Sequence, residues 1–118
     1  MIFNNKFKRN LKLEKNIAEI LKEHSLVISV AESCTGGLLS SRLTDISGSS
    51  EYIRANFVTY SNESKKALLD VKDETLRIYG AVSEQCAREM SEGLYRKTKA
   101  DIAISTTGLA GPTGDTET

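Results

Sequence analysis

Three short apolar runs rich in β-branched residues fix what this chain can fold into. They are Leu26–Ala31, the stretch 52–60 that holds Ile53, Phe57, Val58, Thr59 and Tyr60, and residues 101–106. Runs of this length and make-up read as buried strands. The segments between them carry apolar residues at helical spacing. Leu13, Ile17, Ile20 and Leu21 predict an amphipathic helix over 11–24, and Leu38, Leu39, Leu43 and Ile46 predict a second. Asn62 is expected to cap a short helix carrying Lys65, Lys66, Leu68 and Leu69. Residues 73–79 predict another, closed by Gly80. Ser83 opens a long one that runs to about residue 100 through Cys86, Met90 and Leu94. Helices alternating with buried strands predict an α/β fold, a layered α/β/α sandwich around a mostly parallel sheet.

A length of 118 residues argues for one domain. Residues 1–10 read as a loose basic arm, and 11–118 as the domain. Three strands are few for this architecture, and nothing follows the last one to cover its edge. The expectation is a domain incomplete at its C-terminus, a fragment or a truncated product.

Composition removes several classes of function. The 16 Lys+Arg balance 16 Asp+Glu, which is not the charge of a dedicated nucleic-acid binder. The basic arm, net +4 over residues 1–15, is read as a solvated tail. It is followed by no apolar core of a secretory signal, and no run is long enough to span a membrane. Cytoplasmic residence is the expectation. Cys34 and Cys86 have neither zinc nor redox spacing and are read as two reduced thiols. His24 is the only histidine, at the end of a helix, so a histidine metal site or a Ser-His-Asp triad is not expected. Hydrolytic chemistry would need another base.

Three segments could carry chemistry. In Glu32-Ser33-Cys34-Thr35-Gly36-Gly37, glycines and hydroxyls stand where a strand turns into a helix. Exposed N–H groups there could hold a phosphate, although a tight turn with a capping hydroxyl explains the pattern equally. Gly48-Ser49-Ser50 supplies hydroxyls and Lys65 a base, because a desolvated lysine can take a serine proton. Tyr60 could orient either group. Adjacent helix residues do not share a face, so Lys66 reads as a solvated charge. Thr106 to Gly114, with its three glycines and proline, is an ordered turn able to bind an anion or oxyanion, or a connector. All three follow or adjoin predicted strands, and open α/β sheets bind ligands beyond the carboxyl ends of their strands. These residues leave Ser33 and Ser50 both open as nucleophile.

The motifs Ala31-Glu32-Ser33-Cys34-Thr35-Gly36-Gly37, Gly48-Ser49-Ser50, Val58-Thr59-Tyr60-Ser61-Asn62 with Lys65, Gly80-Ala81-Val82-Ser83 and Thr107-Gly108-Leu109-Ala110-Gly111-Pro112 occur in this order. Over about residues 13–114 the chain closely resembles the CinA C-terminal domain family of nicotinamide-nucleotide amidases. The resemblance implies a Ser/Lys amidohydrolase that needs no metal or other cofactor. Its substrate would be a pyridine nucleotide, nicotinamide mononucleotide, converted to nicotinate mononucleotide and ammonia in salvage. Carried over by position, Ser50 would be the nucleophile and Lys65 the base, with Ser33 and Tyr60 as further active-site hydroxyls. Thr35, Gly36, Gly37, Ser49, Thr107, Gly108, Ala110 and Gly111 would bind substrate. The resemblance further implies a homo-oligomer, a dimer, without membrane or direct nucleic-acid partners. The alternative is a non-catalytic nucleotide-binding module with a regulatory role in competence or DNA damage.

Overall fold

The computed structural model describes residues 10–112; nearly all of the basic arm, and Thr113 and Gly114, lie outside the described residues. The elements run α1 (Lys12–Glu23), β1 (Ile28–Glu32), α2 (Leu38–Thr44), a 3₁₀ turn (Ser49–Glu51), β2 (Phe57–Val58), α3 (Asn62–Leu69), α4 (Asp73–Tyr79), α5 (Glu84–Thr98) and β3 (Ile102–Thr106). The strands form a parallel sheet in the order β2-β1-β3. Among the described residues no helix is long and apolar enough to cross a membrane.

β1 is the central strand and is buried along its whole length. Successive strand residues point to opposite faces of a sheet. Ile28 and Val30 therefore join one core with Ala18, Leu21, Leu43 and Tyr52, beneath α1 and α2. Ala31 joins the other with Leu69, Val71, Cys86, Met90 and Leu94, beneath α3 and α5. Helices thus cover both faces, which is the layered α/β/α arrangement expected. Each fully buried Leu or Met contributes about 1.5–3 kcal/mol of apolar transfer free energy.

Two local expectations are corrected. The second strand is only Phe57–Val58, with one isolated bridge from Ile53 to Ile28. Between these points side chains replace the ladder: Asn56 Oδ1 accepts from Val30 N–H, and Ser29 Oγ accepts from Ala55 N–H. The cap of α3 is Ser61, not Asn62. Ser61 has extended backbone, and its Oγ accepts from the Ser64 N–H. Ser83 does cap α5, accepting from Cys86 N–H. His24 is exposed at the end of α1.

Candidate active site

The site is built where β1 and β3 end. Glu32 closes β1, and the Ser33 N–H donates to the Thr106 carbonyl at 3.1 Å, so Ser33 is held against β3. A lysine on the first turns of a helix leans back toward the helix N-terminus. Lys65 on α3 does so, and reaches the backbone that precedes its own helix. Its Nζ donates to the carbonyls of Thr59 at 2.7 Å and Tyr60 at 3.0 Å, and lies 2.9 Å from Ser33 Oγ.

Lys65 is 0% exposed, and none of these three partners is a carboxylate. Burial pulls its pKa below the ordinary lysine value of 10.5, with the sulfurs of Cys86 and Cys34 acting the other way. A neutral amine has two N–H donors and one lone pair. Two carbonyls take the donors, so the lone pair can face the serine hydroxyl.

Ser33 and Lys65 sit in the wall of a cleft of about 370 Å³. Tyr60, Val82 and the loop from Thr107 to Gly111 line it too. The Thr107 hydroxyl donates to the Ala81 carbonyl at 2.7 Å, which ties the loop after β3 to the segment before α5. Among the described residues no group of three or more His, Cys, Asp and Glu is gathered as for a metal ion.

The other expected residues divide sharply. Thr107, Gly108, Ala110 and Gly111 line the cleft, and Tyr60 stands at it, largely exposed. Ser49 and Ser50 do not reach it. They lie in the 3₁₀ turn before β2, beside the start of β1, where Ile28 N–H donates to the Tyr52 carbonyl. From there to Ser33 is five residues of strand, about 16 Å at the usual rise. The lysine amine thus meets Ser33 Oγ, and Ser50 is not among its hydrogen-bond partners.

Thr35, Gly36 and Gly37 are not among the residues that line the cleft either. Thr35 Oγ1 shares a hydrogen bond with Thr106 Oγ1 at 2.8 Å, and Gly37 takes φ +106°, a left-handed conformation suited to glycine. Of the N–H groups expected there for a phosphate, Gly36 N–H is taken by the Ser33 carbonyl, and the Leu39 and Ser40 N–H groups at the start of α2 are taken by Glu32. The Glu32 carboxylate accepts from the N–H groups of Leu39 and Ser40, each at 2.8 Å, and from the Ser40 hydroxyl.

Cys34, Ala81, Val82 and Leu109 also line the cleft. Sequence reasoning gave them no individual role, although all four stand in the ordered motifs.

The family model of the CinA C-terminal domain matches residues 10–118. The chain belongs to the CinA C-terminal domain family. A CinA-like protein from Chloroherpeton thalassium is 57% identical over 108 residues, 92% of this chain and 26% of that protein. A second from Thermotoga neapolitana is 51% identical over 107 residues, with 91% and 26% covered. This CinA domain thus spans about a quarter of the length of those curated relatives. Among solved structures it resembles the competence/damage inducible protein CihA from Agrobacterium tumefaciens, at TM-score 0.89 and 40% identity, covering 97% of this chain and 70% of that one. A CinA superfamily protein from Escherichia coli gives TM-score 0.85 and 34% identity, covering 98% and 71%.

Proposed function

We propose that the chain is an amidohydrolase that converts nicotinamide mononucleotide and water to nicotinate mononucleotide and ammonia, with Ser33 as nucleophile and Lys65 as general base. The observation that carries the reading is a fully buried lysine amine, free of any carboxylate partner, 2.9 Å from a serine hydroxyl in a cleft wall. A lysine is placed this way at a cost in stability, and activation of the hydroxyl explains that cost.

The steps follow from the geometry. Neutral Lys65 takes the Ser33 proton as Oγ bonds to the carboxamide carbon. The tetrahedral oxyanion needs donors. Cys34 and Thr35 follow Ser33 in a turn closed by Gly36 N–H on the Ser33 carbonyl, and their own N–H groups join neither that turn nor the sheet ladder. The C–N bond then breaks, and the Lys65 ammonium delivers its proton to the departing ammonia. Water attacks the resulting ester, again losing its proton to Lys65. The C–Oγ bond breaks, the proton returns to Ser33, and the carboxylic acid leaves. Tyr60, Val82 and Leu109 give the cleft an apolar wall for the pyridine ring.

Ammonia release from nicotinamide mononucleotide is the test. Ser33→Ala and Lys65→Ala should each lower it by orders of magnitude, Ser50→Ala should leave it unchanged, and a chelator should have no effect. Thermal stabilisation by the nucleotide with no ammonia released would instead make the chain a nucleotide-binding module.

A further inference from the structure

The Ser33–Lys65 reading does not use the most completely bonded buried charge near the site. Glu32 is 0% exposed. It precedes Ser33, so the two side chains leave β1 on opposite faces. Ser33 faces Lys65 and α3. Glu32 faces α2, where both its oxygens are engaged: Oε1 by Leu39 N–H, Oε2 by the N–H and hydroxyl of Ser40. Those are orphan donors of the first helical turn, and the carboxylate also lies at the positive end of the helix. The residue therefore cannot touch a substrate in the cleft. It can fix where the turn from Ser33 to Gly37 begins and ends.

Its backbone reaches the lysine too. The Glu32 carbonyl accepts from Thr59 N–H at 2.8 Å, and the Thr59 carbonyl accepts from Lys65 Nζ. One residue thus holds the serine's turn by its side chain and the lysine's acceptor by its main chain. Resting on the amidase reading, we propose that Glu32 is a positioning residue: its carboxylate, clamped to the start of α2, sets the position of Ser33 Oγ relative to Lys65 Nζ.

The test compares three variants of the full chain. Glu32→Gln keeps the shape, loses the charge, and aims an amide donor at groups that are themselves donors. Ser40→Ala removes one hydroxyl contact and leaves both backbone bonds. Leu43→Ala destabilises the same helix from the core without touching the clamp. For Glu32→Gln, kcat per folded molecule should fall about 10- to 100-fold with KM unchanged, the loss that misplacement by about 1 Å produces. Ser40→Ala and Leu43→Ala should keep kcat near the parent value.

A second readout does not depend on the amide substrate: the rate at which a sulfonyl fluoride modifies Ser33, followed by peptide mass. It should slow in Glu32→Gln in parallel with kcat. If the parent chain is modified at Ser33 but releases no ammonia, the choice of substrate fails while this comparison still decides the role of Glu32. Folded Glu32→Gln reacting as fast as the parent would overturn the proposal. So would a fall no larger than that of Leu43→Ala, or a parent chain whose Ser33 does not react.

Discussion

Lys65 is the residue at which function and stability oppose each other. Its pKa is lowered in the fold, so between the folded value and the ordinary 10.5 the unfolded chain binds more protons than the native one. Stability then rises with pH across that window, and the whole penalty stands below it. Lys65→Met should therefore raise the urea midpoint at neutral pH, with a gain that shrinks as the pH approaches 10.5. Leaving the Thr59 and Tyr60 carbonyls unpaired costs about 1–3 kcal/mol each at most. Relief of a buried charge with no carboxylate partner is worth several kcal/mol in the other direction, and the expected rise requires it to exceed the cost of the two carbonyls. A midpoint below that of the parent would refute this ordering. The same shift gives turnover an acidic limb, kcat/KM rising as Lys65 loses its proton, with an apparent pKa below 10.5. Glu32 has the opposite sign. Burial raises its carboxyl, but hydrogen bonds from Ser40, Thr35 and Leu39 outweigh that and hold it low. Its contribution to stability is present above the unfolded carboxylate value and fades as the pH falls through the folded one. The stability difference between parent and Glu32→Gln should narrow in acid.

Among the elements, α3 carries the lysine and α5 decides where α3 lies. Gly93 on α5 meets the end of α3 so closely that a Cβ there would fall 1.8 Å from the Leu69 carbonyl oxygen. Gly93→Ala must push the helices apart. It should cost about 1–3 kcal/mol or more by equilibrium unfolding, and it should lower kcat as well because Lys65 moves with α3. Ser83→Ala removes the α5 cap and should cost about 1 kcal/mol, leaving kcat near the parent value. The elements themselves were largely legible. Helical spacing gave α1 to within a residue at each end, and the β-branched run gave β1. What failed was local: side chains of Ser29 and Asn56 replaced a ladder over residues 53–56, and no periodicity encodes that. The glycine-rich loop after β3 was legible as part of a cleft wall because it follows a strand. The partner of Lys65 was not. Ser33 and Ser50 both precede it, at sequence distances that carry no information about contact, and only the backward lean of a buried side chain chooses between them. Gly93 gave no signal, since a lone glycine in a helix looks the same whether or not another backbone lies against it.

At the scale of the whole molecule, two cores share one strand. Tyr52 is buried in the core beneath α1 and α2, and Cys86 in the core beneath α3 and α5. Because β1 contributes to both, neither layer has a complete core without the other. Near-ultraviolet dichroism of Tyr52 and thiol titration of Cys86 should report the same unfolding midpoint. Separate midpoints would show that the layers melt independently. The shared strand also makes the site intolerant of length changes. Side chains along β1 alternate strictly, so deleting one residue upstream of Ala31 while the start of the strand keeps its register would exchange the faces of Glu32 and Ser33. The acid would open into the cleft and the hydroxyl would be trapped under α2, so one lost codon would abolish both the nucleophile and the helix anchor.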